Sequence, residues 1–294
     1  MSKSSSLDNH IPQLALKSLF YELSLSPKPG LVDRFNNGSH NDMNFYTFVD
    51  SALSFESFFY QYYFAGKELS TTTDFRNLFL RSRQIGIDAE EAMFNATGGI
   101  NTHKGANFSL ALILIATGYL VQRDNLPVWS KSNTDEMFNI IRYMTKDDLL
   151  KDFNNLDKKK KLTHGERLFV EHGITGIRGE AVSGYPILKD ILMPYLRSQK
   201  DGLTEYTLLK ALLLVMGNIE DGNIIHRGGF ESWEYVKQQA LNLYNESLDQ
   251  DDFLNAMHKF DQDLIERHLS PGGAADAMSL GIFLYLLETT TKSL

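Results

Sequence analysis

Residues 108–121 read Phe-Ser-Leu-Ala-Leu-Ile-Leu-Ile-Ala-Thr-Gly-Tyr-Leu-Val, and this apolar run decides the fold class. It is 14 residues long and is interrupted by Ser109, Thr117, Gly118 and Tyr119. A membrane-spanning helix needs roughly 20 consecutive apolar residues, so the run is too short for one. It therefore predicts a helix buried in a protein core, and we expect no contact with a membrane.

Segments on both sides of this run carry apolar residues at the three- and four-residue spacing of a helix face. In residues 11–25 the repeating residues are Leu14, Leu16, Leu19, Phe20 and Leu23. Helices are also predicted over residues 44–65, 74–94, 106–121, 134–151, 186–197, 204–217, 231–246, 251–268 and 274–291. Alternating strand patterns are missing, so we predict an all-α fold of about ten helices whose glycine-rich connections line one site.

We expect a single catalytic domain over residues 11–294 that follows a flexible stretch at residues 1–10. The highly charged segment 146–161, KDDLLKDFNNLDKKKK, is a candidate boundary between two halves joined near residues 146–162. Lys158 to Lys161 are a candidate anion-binding patch, although a run of charges is more typical of a solvated linker.

The composition excludes several classes of function. Lys and Arg total 29 against 37 Asp and Glu, which gives a net charge of −8. An acidic chain is a poor candidate for a nucleic-acid-binding protein, because neutralising phosphates needs a basic surface. The absence of cysteine excludes disulfides, thiolate zinc sites and a catalytic thiol. Residues 1–10 contain no apolar signal core, so we expect a cytoplasmic protein.

Five connections combine glycine with polar or charged residues. They are residues 26–30, 97–105, 173–179, 221–229 and 270–273. Glycine lets the backbone approach a ligand closely, but it also ends helices routinely, so both interpretations stay open for each segment. Because five segments share the pattern, we expect at least some of them to line a site.

Cationic and histidine side chains in these connections suit phosphate groups. Arg binds phosphate with two parallel hydrogen bonds, and a glycine-rich loop that opens a helix presents free N–H groups and the positive end of the helix dipole. A Walker A motif is absent. The candidate substrate-binding residues are Lys28, Arg34, His103, Lys104, Arg178, His226 and Arg227.

The same connections carry carboxylates. Asp33, Asp42 and Asp276 are hard oxygen ligands suited to Mg²⁺, although Asp42 also fits a helix N-cap and Asp276 fits a residue that stabilises a helix dipole. Glu180, in a glycine-flanked turn beside Arg178, is a candidate general base. Other acidic residues have simpler explanations, since Thr163 and Glu166 match a capping box. No His-Glu-x-x-His zinc motif or Gly-x-Ser-x-Gly elbow occurs.

Six strings in this order resemble the triphosphoribosyl-dephospho-CoA synthase family, over about residues 14–287. They are SPKPGLVD at 26–33, GSHNDM at 38–43, NTHKG at 101–105, GIRGEAVSGYP at 176–186, HRGG at 226–229 and LSPGGAAD at 269–276. Two departures are mild. Gly222 stands where the family has Thr, and Val182 stands where it has Glu, which excludes a catalytic carboxylate at position 182.

The resemblance implies that ATP and 3′-dephospho-CoA react to give 2′-(5″-triphosphoribosyl)-3′-dephospho-CoA and adenine. The product is the precursor of the citrate lyase prosthetic group and is used by a transferase that acts on the acyl carrier protein, and a sister branch of the family serves malonate decarboxylase. Breaking a glycosidic bond by single displacement needs a base and an acid, by analogy with glycosidases. We assign the base to Glu180 and the acid to Asp221, with Asp33, Asp42 and Asp276 as Mg²⁺ ligands. A homodimer is left open.

Two other classes of function stay open on the residues. A non-catalytic nucleotide sensor would use the same cationic loops but would release no adenine. A Mg²⁺-dependent ADP-ribosyl-type glycohydrolase or phosphohydrolase would transfer its group to water. The absence of an adjacent His-Asp pair disfavours a metal phosphohydrolase with that signature.

Overall fold

The computed structural model describes residues 3–154, 162 and 164–290. Throughout these ranges the regular structure is helical, without a β-strand, which confirms the all-α prediction. Residues 155–161, which include the candidate patch Lys158 to Lys161, lie outside the described residues, as does Thr163 of the predicted capping box.

The helices are α1 (Lys3–Ser24), α2 (Phe45–Ser54), α3 (Glu56–Glu68), α4 (Arg76–Ala96), α5 (Lys104–Arg123), α6 (Lys131–Asn154), α7 (His164–His172), α8 (Gly176–Ser183), α9 (Met193–Ser198), α10 (Glu205–Met216), α11 (Gly222–Asn245), α12 (Gln250–Glu266) and α13 (Gly272–Thr290). A π-helical turn at Ile187–Leu192 leads directly into α9. Helix α11 is kinked at Gly229, whose φ of 77° lies outside the helical region.

Several helix boundaries differ from the prediction. Helix α1 begins at Lys3, so residues 3–10 are helical, and Leu7 is buried in the core. The predicted helix over residues 44–65 is divided at Phe55 into α2 and α3. Helices α7 and α8 fall in a segment where no helix is predicted. Helix α6 continues to Asn154, through the first part of the charged segment.

Helix α5 is the buried helix that the apolar run predicts. Its residues 109–121 are all buried, and it packs against α3, α4, α6 and α13. The contact with α3 is close because both helices present glycine: a Cβ atom on Gly118 would lie 2.0 Å from the carbonyl oxygen of Tyr63. Of the described helices, only Lys104–Arg123 has the length and apolar composition to cross a membrane, and 83% of its most apolar window is buried inside the protein.

Helix α13 is the second helix of the interior. It packs against α1, α5, α10 and α11, and it is buried along most of its length. One hydrophobic cluster extends from Leu7 to Leu287, so the two ends of the chain contribute to the same core. Helices α5 and α13 both begin at one cavity, and their N-terminal ends position the site there.

Candidate active site

A cavity of about 510 Å³ opens where four helices begin. Its wall includes His103, Lys104 and Gly105 at the start of α5, residues 176–180 of α8, residues 222–223 of α11 and residues 272–273 of α13. A helix N-terminus presents unpaired N–H groups and the positive end of the helix dipole. Four such ends around one cavity make it suited to anionic groups such as phosphates.

Four of the predicted cations line this cavity: Lys28, Lys104, Arg178 and Arg227. Lys104 forms an ion pair with Glu90. Arg227 donates hydrogen bonds to the carbonyl oxygens of Ser39 and His268, at 3.0 and 3.1 Å. Arg178, on α8, has no ion-pair partner among the described residues and is therefore available to a ligand.

Two other predicted binding residues lie outside the cavity wall. Arg34 is not part of the lining and pairs with Glu205 on the exposed surface, with Nη2 and Oε1 3.3 Å apart. His226 lies in the first turns of α11 but is not part of the lining. The prediction that both bind substrate therefore finds no support in the geometry.

Glu22, Lys28, His103 and Asp276 occupy one part of the cavity, which we call the α5 corner. Lys28 Nζ lies 2.6 Å from Glu22 Oε1, and both side chains are buried. The charge of Lys28 acts on His103, the charge of Glu22 acts on Asp276, and all four residues line the same cavity. Asp276 accepts a hydrogen bond from the backbone N–H of Ala106 in the first turn of α5.

Asp276 is held tightly in this corner. A Cβ atom on Gly105 would lie 2.0 Å from Asp276 Oδ2, so only glycine at that position leaves space for the carboxyl group. Burial, followed by the negative charges of Asp221 and Glu22, raises the pKa of Asp276 well above its usual range. The corner therefore favours a protonated, neutral carboxylic acid at this position.

His103, the N-cap residue of α5, is buried and neutral. Burial, assisted by the charge of Lys28, lowers the pKa of its imidazole to about 3. Its Nδ1 lies 2.8 Å from the Ser51 hydroxyl oxygen, which in turn accepts a hydrogen bond from Thr102 at 2.6 Å. The ring of Phe48 meets the imidazole edge-on, with 4.9 Å between centroids.

Glu180 lies on α8 and faces the cavity, so the predicted glycine-flanked turn is a short helix instead. Its Oε2 accepts a hydrogen bond from the backbone N–H of Ile187 at 3.1 Å. Burial raises the pKa of Glu180 to about 7, and the negative charges of Glu220 and Asp190 add to the effect. A carboxylate with a pKa near neutrality is well matched to general base catalysis.

Asp221 does not reach the cavity wall. Its Oδ1 accepts hydrogen bonds from the backbone N–H groups of Asn223 and Ile224, at 2.9 and 3.3 Å, and its Oδ2 accepts one from Ala274 at 3.1 Å. The carboxylate therefore caps α11 and joins it to the first turn of α13. This geometry argues against the predicted role of Asp221 as the acid that protonates adenine, and for a positioning role.

The three predicted metal ligands do not come together. Asp33 accepts hydrogen bonds from Ser26 and from the backbone N–H groups of Lys28, Phe35 and Asn36, so it holds its own loop closed. Asp42 is exposed beside His40, outside the lining, and Asp276 alone of the three faces the cavity. Within the described ranges, no three His, Asp or Glu side chains are grouped so that they could hold a metal ion.

The structure adds lining residues that the sequence analysis did not identify. They include Glu22, His40, Phe48, Glu166 and Glu220. Glu22 was detectable as a charged residue on the apolar face of α1, three positions after Leu19. His40 lies inside the GSHNDM string, and its Nε2 is 2.9 Å from the Ser270 hydroxyl oxygen. Phe48 resembles the many core aromatics of residues 44–65, and no local pattern separates it from them.

The chain is similar to known proteins over almost its full length. Residues 8–293 match the CitG family model, described as ATP:dephospho-CoA triphosphoribosyl transferase. A protein of Streptococcus equi subsp. zooepidemicus (strain H70), named "Probable 2-(5''-triphosphoribosyl)-3'-dephosphocoenzyme-A synthase", is 46% identical over 95% of this chain and 96% of its own length. A protein of the same name from Streptococcus pyogenes serotype M5 (strain Manfredo) is 46% identical over the same shares.

No solved structure matches the chain. The family match includes all four helices that open at the cavity, together with every residue of the α5 corner. With relatives that align over almost their full length, the chain belongs to the family of ATP:dephospho-CoA triphosphoribosyl transferases.

Proposed function

We propose that this enzyme transfers the 5-triphosphoribosyl group of ATP to the 2′-hydroxyl of 3′-dephospho-CoA and releases adenine. The observation that supports this reaction best is the convergence of four helix N-termini and of Lys28, Lys104, Arg178 and Arg227 on one cavity. Both substrates carry phosphates that must be held without being cleaved, and fixed dipoles and cations hold them without offering a nucleophile.

In this reaction the bond between C1′ of ATP and N9 of adenine breaks, and a bond between C1′ and the 2′-oxygen of dephospho-CoA forms. The hydroxyl proton passes to a base, and adenine takes one proton as it leaves, so the reaction conserves protons overall. Glu180 is the proposed base, because it faces the cavity and titrates near neutral pH.

Asp276 is the proposed acid for adenine, in place of Asp221. Its side chain faces the cavity beside the Glu22–Lys28 pair, and its surroundings favour the protonated form that an acid requires. Two carboxyl groups with different surroundings then divide the base and acid roles, as in glycosidases.

We still expect the reaction to use Mg²⁺. The described residues contain no preformed group of three ligands, so they do not fit a resident metal ion. We propose that Mg²⁺ arrives bound to the triphosphate, whose oxygens are hard ligands of the kind it prefers. Rates measured across a Mg²⁺ titration at fixed ATP test this, because a metal that enters with ATP should give half-saturation near the affinity of Mg²⁺ for ATP itself.

The product chemistry suggests use by a transferase that modifies an acyl carrier protein, in the cytoplasm. Citrate lyase is the proposed destination and malonate decarboxylase the alternative. To distinguish the two pathways, the purified product is incubated with each carrier protein and a carrier transferase. Mass spectrometry then shows which carrier protein gains mass.

The reaction itself is tested by mass spectrometry of the enzyme with ATP, 3′-dephospho-CoA and Mg²⁺. We expect adenine and the triphosphoribosyl adduct to appear in equal amounts. Adenine without the adduct would show that water is the acceptor and would favour a glycohydrolase. Bound ATP with neither product would favour a nucleotide sensor. Glu180→Gln, which keeps the shape but cannot take a proton, serves as the inactive control.

A further inference from the structure

His103 has a hydrogen-bonding atom with no partner. Its side chain lines the cavity although the residue is only 4% exposed, and Nε2 is buried with no hydrogen-bond partner among the described residues. A buried polar atom without a partner is unfavourable, so native proteins rarely keep one. Nδ1 is already satisfied by Ser51, which leaves the cavity to supply the partner of Nε2.

The hydroxyl chain behind the ring suits the tautomer that carries its proton on Nε2. Thr102 donates its hydroxyl hydrogen to Ser51 Oγ, and we assign the hydrogen of Ser51 to the hydrogen bond with His103 Nδ1. An Nδ1 that accepts this hydrogen bond is unprotonated, so the proton of the neutral ring lies on Nε2. His103 therefore presents a neutral N–H donor.

The surroundings of this donor suit a nucleobase better than a phosphate. The imidazole is uncharged at neutral pH, and the ring of Phe48 packs against its edge on the cavity wall. The ring of Phe55 also contacts the imidazole, with 6.3 Å between centroids. Lys28 in the same corner is paired with Glu22, so its charge is balanced within the protein. The ring of Phe48 beside a neutral donor matches a flat heterocycle with ring nitrogens, whereas Arg178 and Arg227 offer charge to phosphates elsewhere in the cavity.

We propose that His103 is a catalytic residue that donates its Nε2–H to a ring nitrogen of the adenine of ATP and stabilises the base as it leaves. This inference rests on the proposed function for the leaving-group role, and it makes the α5 corner the adenine subsite. His103 donates a hydrogen bond and transfers no proton. When the C1′–N9 bond breaks, its electron pair passes to the adenine ring, and the proton that neutralises the ring comes from the Asp276 acid.

Ser51 and Thr102 are then positioning residues. They do not carry charge to the substrate, but they hold the imidazole proton on Nε2 and fix the ring plane. Ser51→Ala removes the group that occupies Nδ1 while leaving His103 in place. It should therefore weaken adenine recognition although the catalytic side chains are unchanged.

The test pairs enzyme variants with substrate atoms. ATP is compared with 1-deaza-ATP, 3-deaza-ATP and 7-deaza-ATP, each of which lacks one of the three ring nitrogens that can accept a hydrogen bond. Their binding to the wild-type enzyme, His103→Phe, His103→Gln and Ser51→Ala is measured by calorimetry without dephospho-CoA, and single-turnover release of the base is measured with it. His103→Gln is the matched control, because its amide can still donate a hydrogen bond.

We expect one deaza analogue to bind the wild-type enzyme about tenfold more weakly than ATP, which is the value of one buried hydrogen bond. His103→Phe should bind ATP and that analogue equally, and His103→Gln should keep part of the difference. For the chemical step, loss of the donor should slow base release by about 10²-fold, as for other donors to a developing negative charge.

For all three analogues, equal losses of affinity in the wild type and in His103→Phe would overturn the inference, because they would show no coupling between the imidazole and a ring nitrogen. If His103→Phe does not fold, the same comparison with Ser51→Ala and His103→Gln decides the question. Failure of the proposed function is seen separately: the wild-type enzyme would then form no adduct, while the binding comparison would still show whether His103 contacts adenine.

Discussion

Asp221 Oδ2 accepts a hydrogen bond from the backbone N–H of Ala274 at 3.1 Å, so one buried carboxylate closes the first turns of both α11 and α13. The two helices meet the cavity at this junction through residues 222–223 and 272–273. This hydrogen bond explains how Asp221, in a glycine-rich connection, supports the site without contacting a ligand.

Asp221→Ala should lower the free energy of unfolding by about 3 kcal/mol, because it removes a helix cap and leaves buried N–H groups without an acceptor. Urea denaturation measures this loss. Asp249→Ala is the matched control, since Asp249 caps α12 on the exposed surface and its loss should amount to about 1 kcal/mol. A stable Asp221→Asn enzyme with a rate lowered by 10² or more would instead restore Asp221 as the acid.

Glu180 should impose a pH dependence on the rate. The ionised carboxylate is the active base, so kcat/KM should rise with pH up to the pKa of about 7 and level off above it. Glu180→Gln should lower kcat by about 10²–10⁴-fold and remove this rise. A loss below fivefold in a folded variant would contradict the assignment.

The same carboxyl group should affect stability in the opposite direction. Its pKa is raised on folding from 4.5 to about 7, so the folded state favours the protonated form. The stability that Glu180 contributes is complete below pH 4.5 and is lost as the pH rises through about 7. Glu180→Gln should therefore gain stability relative to the wild type between these pH values, as measured by urea unfolding at each pH.

Arg178→Ala should raise KM for the phosphate-bearing substrates by about tenfold or more, since a charge-assisted hydrogen bond contributes about 1.5–3 kcal/mol. Arg178 faces the cavity and has no ion pair to another described residue. Arg81→Ala is the control: Arg81 lies on α4, where it is exposed and contacts Gln84 at 3.2 Å. An equal KM for both variants would remove Arg178 from the binding site.

Gly118→Ala should destabilise the protein by about 1–3 kcal/mol, because the added methyl group would overlap the Tyr63 carbonyl and push α3 away from α5. Gly86→Ala is the matched substitution. It lies within α4, and its Cβ would meet Tyr62 Oη at an ordinary 3.6 Å. That change should stabilise the helix by up to about 1 kcal/mol, and thermal unfolding of the two variants should move in opposite directions.

The features that a sequence reveals best are those set by local pattern. Helix α5 was predictable because its apolar run is too long for a strand and too short for a membrane span. Helix α8 was not, because its eight residues include Gly176 and Gly179, and glycine in a short segment indicates a turn. Tertiary packing against α6 and α5 stabilises it instead.

The same contrast between local sequence pattern and tertiary contacts applies to the functional site. The glycine-rich strings identified which connections form the cavity, since a loop that opens a helix carries a recognisable composition. The roles of individual carboxylates were not readable, because Asp33, Asp221 and Asp276 all follow similar loops. Only their hydrogen-bond partners show that Asp33 stabilises its own loop, that Asp221 caps two helices and that Asp276 is the acid in the cavity.

Because α5 and α13 start at the cavity and continue through the centre of the core, the mouth of the site and the interior belong to the same cooperative unit. Amide hydrogens in the first hydrogen-bonded turn of α5, such as that of Asn107, should exchange with solvent only when the whole protein opens. Those of α8, which is short and partly exposed, should exchange earlier. Before the substrates bind, the cavity wall formed by α5 and α13 would then be rigid, whereas the wall formed by α8, which carries Glu180, could still change conformation.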